Sequence, residues 1–113
     1  MIRQFIGTPP DSYHLVTFGI VHRDVRYFAD QFGIRFTEDC DDLDFFLGAL
    51  VVFNNNVCSL FQRKYHIENQ VEVQFQAGDP TVFEKFEQFL AAAGLSREDV
   101  LWINDRYLDV PAR

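Results

Sequence analysis

The chain has 113 residues, 48% of them apolar and 24% charged, which fits one folded domain and excludes the charge-rich, apolar-poor composition of disorder. Ten Lys and Arg against seventeen Asp and Glu leave a formal charge of −7, so no basic footprint exists for holding a phosphate backbone. Nucleic acid is therefore not an expected partner. The longest apolar stretch, Phe45 to Phe53, is nine residues, against the roughly 20 needed for a membrane-spanning helix, and no membrane partner is expected either.

In chain order, Thr8-Pro9-Pro10-Asp11 has the chemistry of a helix start, with Thr8 as cap and proline at the first helical position. The next stretch, His14 to Val21, is rich in β-branched residues and contains Gly19, and it reads as a strand. A single long helix from Asp11 to Phe32 is the competing reading, because Phe18, Val21, Val25, Phe28 and Phe32 keep helical spacing. After His22 the apolar stripe Val25, Phe28, Ala29 and Phe32 predicts a helix in either case, and Gly33 suits the left-handed position that ends it.

Ile34 to Thr37 alternates and reads as a short strand, succeeded by an acidic loop. That loop, Glu38-Asp39-Cys40-Asp41-Asp42-Leu43-Asp44, carries five carboxylates in seven residues, and without it the rest of the chain sums to only −2. Residues 43 to 53 are apolar on both faces after Asp44 and read as a strand covered on two sides. Asn54-Asn55-Asn56 then predicts a hairpin turn, since asparagine tolerates positive φ.

Val57 to Tyr65 returns as a strand whose alternation sets Val57, Ser59, Phe61, Arg63 and Tyr65 on one face and Cys58, Leu60, Gln62, Lys64 and His66 on the other. A polar turn at Glu68-Asn69-Gln70 leads into Val71 to Gln76, whose clean alternation predicts one solvated face. Asp79 and Pro80 open the clearest helix, with Val82, Phe83, Phe86, Phe89, Leu90 and Ala93 as its apolar stripe and Gly94 as its stop. Ser96-Arg97-Glu98-Asp99 matches a capping box before Val100-Leu101-Trp102-Ile103 and predicts a second, short helix or turn. The expected fold is a single α+β domain over residues 1–113, an antiparallel meander of about four to five strands with helices on one side.

Motifs of common chemistries are absent. The glycines at 7, 19, 33, 48, 78 and 94 satisfy neither phosphate-cradling pattern, and there is no G-x-S-x-G, H-E-x-x-H or C-x-x-C. Cys40 stands between Asp39 and Asp41, which disfavours its thiolate. The acidic loop does not match a calcium loop, because the fifth position would fall on Leu43 and the required glycine on Asp44. No cofactor, metal or catalytic residue is assigned.

The sequence therefore reads as a non-enzymatic binding protein that meets a basic protein, such as a toxin or nuclease, through Glu38, Asp39, Asp41, Asp42 and Asp44, as an inhibitor or immunity protein would. Carboxylates steer such a partner, and neighbouring aromatic rings anchor it. A small-molecule site or small enzyme with an aromatic pocket between sheet and helices, involving Tyr65, His66 and Trp102, is the alternative. A subunit of a homodimer or larger assembly is the third. Two cysteines, and an N-terminal segment from Met1 to Pro10 with no h-region long enough for a secretory signal, point to a cytoplasmic protein with free thiols.

Overall fold

A computed structural model describes residues 1–7, 14–40, 45–63 and 68–109. Its strands are β1 (Arg3–Gln4), β2 (Leu15–Val21), β3 (Thr37–Cys40), β4 (Phe45–Phe53), β5 (Asn56–Arg63), β6 (Val71–Gln76) and β7 (Val100–Ile103). The helices are α1 (Val25–Phe32) and α2 (Val82–Ala93), and single 3-10 turns occur at Arg97–Asp99 and Tyr107–Asp109. All strand pairs are antiparallel, in the order β1-β4-β5-β6-β2-β7, and β3 also pairs with β4. β1 lies against Val51 and Val52 and β3 against residues 45–48, so the two succeed one another along the same edge of β4.

The domain is therefore a compact one, with two helices and seven strands among the described residues rather than the four to five expected. β4 to β6 do form the expected meander. Asn54 and Asn55 make its first turn with φ of 47° and 63°, a conformation that asparagine adopts more readily than most side chains. β2 sits between β6 and β7, which removes the long helix from Asp11 to Phe32. The expected helix start at Thr8 to Asp11 lies outside the described residues.

Three elements differ from expectation for identifiable reasons. Of Ile34 to Thr37 only Thr37 is in a strand, because both backbone groups of Arg35 are taken by a side chain. Gln4 Oε1 accepts from Arg35 N at 2.7 Å, and Gln4 Nε2 donates to Arg35 O at 3.1 Å. The capping box at Ser96 and Asp99 is real, but it turns only once before Val100–Ile103 pairs with β2 as a strand. α2 begins at Val82 instead of Pro80, and Asp79 Oδ1 accepts from Thr81 N at 2.8 Å, just ahead of the helix.

Alternation assigns the faces of the sheet. Val21, Val51, Phe53, Cys58, Leu60, Val71, Val73 and Phe75 belong to the core shared with Val25 and Phe28 of α1 and Val82, Phe86, Phe89 and Leu90 of α2. The two helices meet there, Phe28 and Phe89 with ring centroids 6.1 Å apart, and Tyr27 donates through its hydroxyl to Ala93 O at 2.6 Å. Phe18 falls at a register shift in β2 and is fully buried among Phe75, Phe86 and Tyr107, all edge-to-face. Seven of the thirteen phenylalanines are buried, so the core accounts for about half of the aromatic surplus.

The opposite face begins with Phe46, Gly48 and Leu50 of β4, which pair with Arg63, Phe61 and Ser59 of β5. It continues through Glu72 and Gln74 of β6 to Thr17 of β2. Glu72, Gln74 and Gln76 are half-buried while Val71, Val73 and Phe75 are buried, as the alternation of β6 requires. β4 is enclosed on both faces only over Val51 to Phe53.

Candidate functional site

The acidic segment begins on β3 rather than as a loop. All four β3 residues are exposed, and no strand pairs with the outer edge of β3 among the described residues. Register sets Thr37 opposite Gly48 and Asp39 opposite Phe46, on the open face, whereas Glu38 is opposite Leu47, on the side of the helices. The two described carboxylates thus diverge. Asp39 Oδ1 also accepts from Cys40 N at 2.8 Å, which orients it. Asp41, Asp42 and Asp44 lie outside the described residues.

The residues of the aromatic-pocket alternative are similarly divided. Tyr65 and His66 lie outside the described residues, and the space between sheet and helices is filled by the rings of Phe18, Phe28, Phe53, Phe75, Phe86 and Phe89. Trp102 is half-exposed on β7 and lines a surface groove of about 310 Å³ with Phe86, Leu90 and Val100, beside the Arg97–Glu87 ion pair. Leu101 and Ile103 are also exposed, and the β7 register shifts opposite Ile20 and Val21, an irregularity that disrupts regular pairing along an edge.

Nucleophile chemistry receives little from the cysteines. Cys58 is fully buried and burial pushes its thiol far up, which keeps it protonated, while Cys40 is exposed. Among the described residues no three His, Cys, Asp or Glu side chains converge to hold a metal ion. No helix is long and apolar enough to cross a membrane among those residues.

A second concavity lies on the open face, beside β3. It is an open groove of about 430 Å³ over β4 and β5, with Phe46, Phe61, Ser59 and Gln74 along it and Arg35 and Asp39 also lining it. Phe46 and Phe61 are ring neighbours at 4.3 Å and tilted by 31°. Phe46 leans toward Gly48, where a β-carbon would lie 3.5 Å from the ring, and the Arg63 guanidinium stands 5.0 Å from the Phe61 ring centre. The groove therefore has an aromatic section braced by a cation and a polar section toward β6.

No family model, curated protein or solved structure matches the chain.

The alternation of residues 57–65 sets Ser59, Phe61 and Arg63 on one strand face without giving them a role. A usable signal for Ser59 is its position as a small hydroxyl between Cys58 and Leu60, in a strand buried on both faces. Arg35, Phe46 and Gln74 carry no local signal at all, because only the tertiary fold brings them to one groove with Ser59.

Proposed function

We propose that the chain is a non-enzymatic, cytoplasmic binding protein that engages a basic protein partner, of inhibitor or immunity type, through the acidic segment from Glu38 to Asp44. What supports this reading is that β3 is an exposed outer strand carrying the first two carboxylates of a segment with five. The negative field accelerates encounter with a cationic surface. Free thiols at Cys40 and Cys58 suit a reducing compartment.

The test is affinity capture from native lysate at low salt, identification of the protein eluted by high salt, and measurement of its association rate with the purified chain. The rate is expected to fall with ionic strength and to drop about tenfold or more when Asp39, Asp41, Asp42 and Asp44 are reversed to lysine. An association rate indifferent to that reversal rejects the reading.

A second reading, a subunit whose neighbour covers β7, is favoured by Leu101, Trp102 and Ile103, which are 48%, 46% and 37% exposed in sequence along one edge. Light scattering on the purified protein checks it: a monomer at working concentrations removes it.

A further inference from the structure

We propose that the open-face groove is a binding site for a small aromatic molecule without net charge that carries a hydroxyl or amide group. The observation that carries this is Ser59. It is only 9% exposed, it lines the groove, and its hydroxyl makes no hydrogen bond among the described residues. A hydroxyl withdrawn from water without a partner is disfavoured, and such groups in folded proteins are normally paired.

The neighbouring residues show what the same sheet does with its other polar side chains. Gln62, the other buried polar residue, is engaged at both ends, accepting from Val25 N at 2.8 Å and donating to Asp24 Oδ2 at 3.2 Å. On the open face, Gln74 Nε2 donates to Thr17 Oγ1 at 3.2 Å, and Thr17 Oγ1 donates to Glu72 Oε1 at 2.7 Å. That chain uses one of the two Gln74 amide N–H donors and leaves its amide oxygen without a partner among the described residues. Ser59 and Gln74 are directly opposed in the β5–β6 register. Together they offer one hydroxyl and one amide oxygen to a ligand group that both donates and accepts, which a phenol or a carboxamide does.

The rest of the groove selects the body of the ligand. The Phe46 and Phe61 rings favour an apolar ring packed against them in offset or edge-on geometry. Arg35 and Asp39 contribute opposite charges, so a ligand with a net charge gains no balanced partner there. The groove is open to solvent, and its volume of about 430 Å³ is in the range of small-molecule sites.

The test uses the whole chain, with phenol and toluene as probes of equal shape and different polarity, monitored by backbone amide NMR shifts. Phenol is expected to shift the amides of Ser59, Phe61 and Gln74 and to bind at least about fivefold more tightly than toluene. Ser59→Ala, and the near-isosteric Ser59→Cys as a second variant, are expected to weaken phenol about five- to tenfold, the equivalent of one hydrogen bond. Equal affinity for the two probes, no shift at these amides, or phenol binding indifferent to both variants overturns the proposal. The acidic segment is intact in both variants, so retained partner association with lost phenol binding separates this site from the proposed partner surface.

Discussion

The Phe86 ring occupies the space that a side chain at Gly19 would need: a β-carbon there would stand 2.8 Å from Phe86 Cζ. Phe86 cannot yield easily, being 2% exposed and packed against Phe18 at 5.2 Å and Phe89 at 6.3 Å. The missing side chain in β2 is thus what lets α2 lie on the sheet at this point. Gly19→Ala is expected to destabilise the fold by about 1–3 kcal/mol through overpacking, read as a lowered midpoint in urea with an unchanged slope.

Gln62 ties the start of α1 to β5. Its carbonyl oxygen satisfies the buried N–H of Val25 at the first helical residue, while Asp24 caps the same turn by accepting from Arg26 N at 3.0 Å. Gln62→Leu leaves the Val25 N–H unpaired away from water and is expected to cost about 1–3 kcal/mol. Hydrogen exchange at the Val25 amide should accelerate in the same variant, which a general loss of packing in α2 would not produce selectively.

Two ionisable groups make stability depend on pH in opposite directions. Burial alone would raise the Asp79 carboxyl, but hydrogen bonds from Lys85 and Thr81 and the Lys85 charge outweigh it and hold the group below its ordinary value of 3.8. Its contribution is complete above that value and disappears as pH falls through the lower folded value. Urea midpoints of the wild type and Asp79→Asn, separated at pH 7, should therefore converge on acidification below about pH 4.

Tyr107 behaves in the reverse sense. Burial pushes its phenol up to about 12, against an ordinary 10.0, and the hydroxyl donates to Gln76 O. The folded state holds this proton longer than the unfolded one, so the stabilisation is complete below pH 10 and is lost as pH rises toward about 12. Tyr107→Phe should be less stable at pH 8 and should show a shallower alkaline decline, measured by the same urea series.

The two thiols should react at very different rates. Cys40 is exposed on β3 and Cys58 is wholly buried, with its thiol held in the protonated form. A disulfide reagent at neutral pH is expected to modify one thiol per chain in the native protein and the second only in denaturant. Two equally fast thiols in the native state would contradict the placement of β5 in the core.

Local chemistry makes several elements readable. Gly33 and Gly94 end α1 and α2 in the left-handed conformation, with φ of 67° and 72°, and the asparagine turn and the alternation of β6 hold as well. β1 has no signature along the chain because two residues are too short to show a period, although Ile2 beside it is only 1% exposed. β7 departs from the expected helix or turn because the capping box at Ser96 is satisfied by one turn as well as by several. The free edge of β2 then draws residues 100–103 into the sheet.

The concentration of five carboxylates between Glu38 and Asp44 is a property of the sequence alone, as are the absence of G-x-S-x-G, H-E-x-x-H and C-x-x-C and the apolar content that makes a core possible. Only the tertiary structure decided that this segment starts as an exposed outer strand, that Asp39 and Glu38 point to opposite faces, and that Ser59 is shut away without a partner among the described residues. The physical reason is that composition and spacing act along the chain, whereas a strand's neighbours are chosen by long-range pairing. Asp39 meets Phe46 and Ser59 meets Gln74 through hydrogen-bonded registers that no local pattern encodes.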